Sequence, residues 1–176
     1  MTIANARTGV AGPAAGTRIV ATDSNHLVFT FDRMFVMNWR VDTTRMAVSR
    51  VSQAITNFAT SFTPARIILL TVIEVSASMP PADARDMLAK LMKVNTPYLI
   101  RSAVGYEGSG FRGAAFRAVS TGIAVLSNHE FPHRIFAGIP LATEWLAAGL
   151  SEELGQTVKG TTLADLVHRV RHPPKR

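Results

Sequence analysis

A glycine-rich segment, residues 105–113 (GYEGSGFRG), has the residue types that most directly suggest binding chemistry. It lies between a predicted strand and a predicted helix, where backbone N–H groups and the helix dipole can hold an anion. Gly108 and Gly110 allow a ligand to approach the backbone closely, Ser109 offers a hydroxyl and Arg112 offers a guanidinium. These four residues form a candidate site for a small anionic ligand or for an acidic side chain of a partner.

The same loop also has a purely structural interpretation. Ser109 can cap the following helix, and a glycine can adopt a positive φ angle in a strand-to-helix turn. The loop lacks the Gly-Lys-Ser/Thr ending of a Walker A loop and the Gly-x-Gly-x-x-Gly fingerprint of dinucleotide-binding proteins. Glu107 offsets part of the Arg112 charge. The binding and the capping interpretation both remain open.

Residues typical of catalysis or metal binding form no recognisable constellation. The chain has no cysteine, which excludes disulfides, thiolate zinc sites and cysteine nucleophiles. His129 and His133 are four residues apart, but Pro132 lies between them, so they do not share a helix. His168 and His172 have the same spacing and stand beside arginines, whose charge repels a divalent cation. None of the five histidines adjoins a nucleophile motif, so we expect no catalytic residues, no metal and no cofactor.

The charge balance gives little indication of a nucleic-acid partner. Basic side chains outnumber acidic ones by 19 to 12, and four of the basic ones lie in the last eight residues, where we expect them to be solvated. The remaining residues show no basic face with interleaved aromatics, which argues against a nucleic-acid surface. No apolar run approaches the ~20 residues of a membrane span. The first residues lack the apolar core of a signal peptide, so we expect a cytoplasmic protein.

Apolar periodicity predicts the elements that position these residues. Three short β-rich runs, residues 18–22, 27–31 and 34–39, predict an antiparallel meander. Residues 34–39 are apolar on both parities. Helices therefore cover both faces of this strand, or one face awaits a partner.

After the meander, helices and strands alternate. The first helix is predicted to start at a cap on Asp42 or Thr43 and to stop at Thr63-Pro64. The strand Ile67–Ile73 is apolar on both parities and is predicted to be the central strand of the sheet. The later elements are a helix after Pro80-Pro81, a strand at 98–104, a helix buried through Ala115, Val119, Gly122, Ile123 and Leu126, a strand at 134–137, a helix with Leu141, Trp145 and Leu146, and a last helix at 161–171 capped by Thr161 or Thr162.

The element order is β-β-β-α-β-α-β-α-β-α with one additional helix. This order predicts an α/β fold in which a mixed sheet has an antiparallel meander at one edge and is covered by about four helices. We divide the chain into a disordered leader (residues 1–16), one domain (17–149) and a C-terminal helical extension with a basic tail (150–176). The apolar stripe of the last helix allows packing on its own domain or on a second copy.

The closing segment resembles a known family. Residues Arg134–Leu146 (RIFAGIPLATEWL) are similar to the closing element of the STAS domain, the SpoIIAA-like fold of anti-sigma factor antagonists: a short strand, a turn, then a helix with an Ala and a Trp-Leu pair. The resemblance spans residues 17–149. It implies a STAS-like fold and a non-catalytic protein-interaction module of a regulatory system, with a partner protein or self-association.

The resemblance also directs attention to a phosphorylation site. Sigma-factor antagonists of this family carry an Asp-Ser pair at the start of the helix after the first buried strand, and its serine is phosphorylated. The corresponding residues here, 74–81 (EVSASMPP), have no Asp-Ser pair. Ser76 and Ser78 are the candidate phospho-acceptors in this segment.

Three function classes predict different structures. An interaction module predicts a solid core. A domain of the same broad fold that binds a small anionic ligand or a lipid predicts a concave apolar pocket under the loop 105–113, with a few convergent polar groups. An enzyme with an unrecognised site predicts titratable residues with shifted pKa values in that pocket.

Overall fold

The structure is a computed structural model that describes residues 16–173. The predicted leader, apart from Gly16, and the last three residues of the predicted tail lie outside the described residues. None of the described helices is both long and apolar enough to cross a membrane. In chain order, the elements are β1 (Thr17–Thr22), β2 (His26–Phe31), β3 (Met34–Trp39), α1 (Arg45–Ala59), β4 (Ile67–Ile73), α2 (Ala82–Val94), β5 (Leu99–Tyr106), α3 (Gly110–Ser127), β6 (His133–Phe136), α4 (Ile139–Leu154) and α5 (Gly160–Arg171).

The strands form one mixed sheet in which neighbours in space are neighbours in the chain. β1, β2 and β3 pair antiparallel, whereas β3, β4, β5 and β6 run parallel. The α/β class and the meander at one edge are therefore confirmed, with strand ends that differ from prediction by at most two residues. β4 lies between β3 and β5, and every residue of this strand is buried, because its side chains are covered on both sides.

Helices cover both faces of the sheet. α1, α2 and α3 each connect two adjacent parallel strands and pack on one face, which we call the α1–α3 face. α4 and α5 pack on the other, the α4–α5 face. In β3, Phe35, Met37 and Trp39 belong to the α1–α3 face, whereas Met34 and Val36 belong to the α4–α5 face. The apolar residues of β3 are thus buried by helices on both sides.

The start of α1 differs from its prediction. Thr44 is the N-cap, and its Oγ1 accepts a hydrogen bond from the backbone N–H of Ala47 at 3.2 Å. The predicted cap at Asp42 or Thr43 is therefore wrong by one or two positions, because the residue whose hydroxyl reaches the free N–H is Thr44. The helix ends at Ala59, well before the predicted proline stop.

The last helix packs on its own domain. α5 begins at Gly160, directly after Lys159, so the predicted cap at Thr161 or Thr162 is wrong. Gly160 lies against the backbone of Glu144 in α4, where a Cβ atom would overlap the Glu144 Cα, so the first residue of the helix must be a glycine. The predicted apolar stripe then packs in the core of the α4–α5 face through Leu163, Leu166, Val167 and Val170.

The predicted buried stripe of α3 is partly wrong. Gly122 and Leu126 are exposed, and the buried residues of the helix are Gly113, Phe116, Ile123 and Ser127. Phe116 stacks on Tyr106 of β5 with ring centroids 4.7 Å apart. This contact is between distant parts of the sequence and sets the rotation of the helix, which the stripe of aliphatic residues alone does not define. In α4, Leu141 is likewise exposed.

Candidate functional site

The loops that follow the parallel strands β3, β4 and β5 meet at the carboxyl edge of the sheet, where many α/β proteins bind ligands. The glycine loop follows β5, and the two candidate phospho-acceptors lie between β4 and α2. Ser76 and Ser78 are both exposed, and Ser76 Oγ donates a hydrogen bond to the Arg40 carbonyl at 2.7 Å. Phosphorylation of either serine stays a prediction.

Backbone geometry accounts for much of the glycine loop. Gly110 has a φ of +63°, a conformation that favours glycine. Ser109 occupies the N-cap position of α3, but its hydroxyl makes no capping hydrogen bond. Gly108 packs so closely on the phenol of Tyr106 that a Cβ atom would overlap it. Two of the glycines are thus required by the turn itself.

The guanidinium of Arg112 is engaged by the protein backbone. Its Nη2 donates a hydrogen bond to the carbonyl of Ala77 at 2.6 Å, which ties the start of α3 to the loop after β4. The charge of Glu107 is met by Arg171, whose Nη1 and Nη2 donate to the two carboxylate oxygens at 2.8 and 2.6 Å. Anion binding by the loop stays a prediction. Its arginine, Arg112, already donates one hydrogen bond within the protein, to the Ala77 carbonyl.

Arg171 links three elements at the carboxyl edge. Although it was expected in a solvated tail, its side chain is only 2% exposed, and its Nη2 lies 3.3 Å from Oε1 of Glu74 as well as against Glu107. Asn38 donates from Nδ2 to the same Glu74 oxygen at 2.7 Å. The hydrogen bonds from Arg171 hold the pKa of Glu107 below its ordinary value of 4.5. The cluster fixes the end of α5 to the loops after β4 and β5.

A largely apolar cavity of about 70 Å³ lies between the α1–α3 face of the sheet and the helices α2 and α3. This volume holds roughly five water-sized spheres, and the cavity is partly open. The cavity therefore has room for one small group, while the rest of a larger molecule extends outward. The apolar part of its wall includes Met37, Leu69, Leu91, Met92, Phe116 and Ile123.

Two polar strand residues and one helix residue interrupt the apolar wall. Ser102 of β5 pairs in register with His133 of β6, and Thr71 of β4 pairs with Val104. Thr71 and Ser102 are therefore diagonal neighbours on the same face of adjacent strands, and both line the cavity together with Ser120 of α3. The hydroxyl hydrogen bonds found within residues 16–173 involve none of these three side chains. Their hydrogen-bonding capacity is available to a molecule in the cavity.

His133 adds a neutral imidazole to this group. Burial, and secondarily the nearby His129 ring at a centroid distance of 5.5 Å, lowers the pKa of His133 to about 4. The ring is therefore uncharged at neutral pH, and its Nδ1 is buried without a hydrogen-bond partner among the described residues. An uncharged imidazole has one donor and one acceptor.

A serine–histidine contact near the end of α3 has a capping role. Ser127 Oγ lies 2.6 Å from Nδ1 of His129, a distance that would suit a nucleophile and its base. The same hydroxyl donates to the Ala124 carbonyl at 2.7 Å. Because a hydroxyl has one proton to donate, the His129 nitrogen acts as the donor. That direction is opposite to base activation, and the pair closes the helix before Asn128, whose φ is +44°.

The sequence interpretation missed the polar residues of the cavity. Thr71 interrupts an otherwise apolar buried strand, and this interruption is the signal that could have identified it. Ser102 follows Arg101 in β5 and gives no such signal. The cavity does not lie under the loop 105–113, where a pocket was predicted. No residue of this loop lines the cavity, whereas Val104, before the loop, and Phe116, after it, do.

In comparisons with known proteins, no family model, no curated protein and no solved structure matches this chain significantly.

Proposed function

We propose that this chain is a non-catalytic binding module whose sheet–helix cavity takes a small, largely apolar molecule, or the end of a larger one. The observation that supports this function best is the uncharged, mostly apolar cavity with hydroxyl groups that have no protein partner. Protein cores normally contain few voids larger than a water molecule. A cavity of this composition is typical of ligand sites, whereas a pure interaction module predicts a solid core.

The side chains around the cavity favour binding over catalysis. Among the described residues that line it, His133 is the one titratable side chain. Nucleophilic catalysis needs a nucleophile and a base within hydrogen-bond reach of each other, and among the described residues Nδ1 of His133 has no hydrogen-bond partner, Ser102 included. A single neutral imidazole among serine and threonine hydroxyls is suited to hold a polar group in place.

The STAS-like fold is part of the same proposal. Its support is the order of elements, with a meander first and the segment β6–turn–α4 last, together with the sequence of that segment. Within it, Leu146 is fully buried on the α4–α5 face. Trp145 lies against the guanidinium groups of Arg101 and Arg134, at 5.0 and 5.3 Å from the ring.

A second candidate function is docking of a regulatory partner protein in the cytoplasm. The specific observation in its favour is the adjacent pair Val125 and Leu126 near the end of α3, which are 74% and 67% exposed; Phe111, 91% exposed, lies at the opposite end of the same helix. Neighbouring exposed apolar side chains can mark a contact surface. Because α3 also forms one wall of the cavity, ligand binding and docking would involve the same helix.

The test is a titration of the isotope-labelled protein with toluene, followed by amide chemical shifts in two-dimensional NMR spectra. We expect saturable shifts at Thr71, Ser102 and Val104. Ser120→Leu, which places a larger side chain in the cavity from α3, should abolish them. Thr121→Leu, an exposed change at the next position, should leave them intact. Absence of saturable shifts in the wild type, or equal shifts in Ser120→Leu, would contradict the proposed function.

A further inference from the structure

We propose that the ligand of this cavity is uncharged and carries a hydroxyl group, which binds between Thr71, Ser102 and His133. The inference rests on the proposed function and adds the chemical class of the ligand. It follows from three properties of the wall: its charge, the separation of its polar and apolar parts, and the kinds of hydrogen-bonding group that it presents.

The wall favours an uncharged ligand. No aspartate, glutamate, lysine or arginine is among the described residues that line the cavity. A charged group that enters an apolar cavity loses its hydration and finds no counter-charge there, so its binding is disfavoured. The nearby charges of Arg112 and Arg171 are directed to other groups, the Ala77 carbonyl and the carboxylates of the carboxyl edge.

The wall is also divided into two parts. α2 supplies apolar side chains alone, Leu88, Leu91 and Met92. The polar lining residues lie elsewhere: Thr71, Ser102 and His133 in the sheet, Ser120 in α3, and Thr43 and Ser78 in the loops before α1 and after β4. A molecule that satisfies both parts has an apolar body against α2 and one polar group on the sheet side.

The hydrogen-bonding groups indicate a hydroxyl. Serine and threonine hydroxyls each donate one hydrogen bond and accept others, and the neutral imidazole donates one and accepts one. A ligand hydroxyl can donate and accept at the same time, so it can satisfy both kinds of protein group. A carbonyl group only accepts hydrogen bonds. An aliphatic amine is protonated at neutral pH, and its charge would find no counter-charge in the wall.

The experiment compares phenol with toluene, which have the same number of non-hydrogen atoms and differ by a hydroxyl in place of a methyl group. Isobutyrate, which is smaller than either, serves as the anionic probe. Dissociation constants are measured at pH 7 by NMR titration of the wild type, of Thr71→Val and Ser102→Ala, and of Ile123→Val as a control in the apolar wall. We expect phenol to bind at least threefold more tightly than toluene, and isobutyrate not to saturate.

The variants separate this inference from the proposed function. Thr71→Val and Ser102→Ala should each remove the preference for phenol, whereas Ile123→Val should change both affinities in the same direction and keep their ratio. Equal binding of phenol and toluene by the wild type would overturn the hydroxyl assignment and leave the cavity function standing. Tighter binding of isobutyrate than of phenol would overturn the uncharged class. If neither phenol nor toluene binds, the proposed function fails and the inference fails with it.

Discussion

The two faces of the sheet are formed by the same strands but have different side chains at their buried positions. Toward α4 and α5, β4 presents Ile68, Leu70 and Val72, all of them fully buried. Toward α2 and α3, the same strand presents Thr71 among its aliphatic residues, and β5 presents Ser102. Polar residues at buried positions have a cost unless they find partners. On the α4–α5 face Asn38 and Arg101 have theirs, in Glu74 and the Trp145 carbonyl. Thr71 and Ser102 have none among the described residues, so a ligand would complete the hydrogen bonding on their side of the sheet.

The prediction with the largest expected effect concerns the α4–α5 face. Ile68→Asp places a carboxylate without a counter-charge beneath α4, and we expect the domain not to fold. Ile68→Val, which removes one methylene from the same position, should cost about 0.5–1.5 kcal/mol and leave the fold intact. Circular dichroism with thermal unfolding distinguishes the two. A cooperatively folded Ile68→Asp protein would contradict the assignment of β4 to the centre of a doubly covered sheet.

The second prediction concerns the residue that joins the α4–α5 face to the loops of the other face. Arg171→Met leaves Glu107 and Glu74 without their shared cation. A fully buried pair broken in this way costs 3–5 kcal/mol; since both carboxylates are partly exposed, we expect about 2 kcal/mol. Arg169→Met removes an exposed arginine from the same helix and should change the free energy of unfolding by less than about 0.5 kcal/mol.

The pH dependence of this effect has a definite sign. Because the pKa of Glu107 is lowered in the folded state from 4.5, its stabilising contribution is complete above about pH 4.5 and is lost as the pH falls through the folded value. The stability difference between wild type and Arg171→Met should therefore shrink between pH 7 and pH 3, as measured by urea unfolding. A constant difference would show that Arg171 stabilises by packing alone.

The third prediction compares the faces directly through two consecutive residues of β5. Ala103 is fully buried toward α4, whereas Ser102 lines the cavity. Ala103→Val adds two methyl groups to a filled space and should cost about 1–3 kcal/mol. Ser102→Val adds atoms where there is room and should change stability by less than about 1 kcal/mol. Equal losses in urea unfolding would show that the two faces are packed to the same density.

Local sequence signals predicted the elements and missed the contacts between them. The meander and the strand Ile67–Ile73 follow from β-branched and aromatic residues in short runs, and the structure has them within one residue. The rotation of α3 depends on the stacking of Phe116 on Tyr106, and the cavity depends on the register that brings Thr71, Ser102 and His133 onto one face. These contacts join residues from different strands and helices, so periodicity within a single segment does not reveal them.

The smallest expected effect concerns Arg112, the residue first selected as an anion ligand. Its bond to the Ala77 carbonyl fastens a part of the cavity wall, since Ala77 lines the cavity and is nearly fully buried. Arg112→Ala should therefore lower the free energy of unfolding by about 1 kcal/mol, the usual net value of one hydrogen bond. Arg117→Ala, at an exposed position of the same helix, should leave it within about 0.5 kcal/mol of the wild type.

A titration with inorganic phosphate at two salt concentrations separates this structural role from the anion hypothesis. If Arg112 only stabilises the cavity wall, wild type and Arg112→Ala show the same weak, non-saturable response in the phosphate titration. The difference between their free energies of unfolding then does not depend on salt. A saturable, salt-sensitive affinity that falls about tenfold in Arg112→Ala would establish the glycine loop as an anion site. Because a guanidinium has five N–H donors, Arg112 can hold an anion and the Ala77 carbonyl at the same time, so that result would be compatible with its contact to the cavity wall.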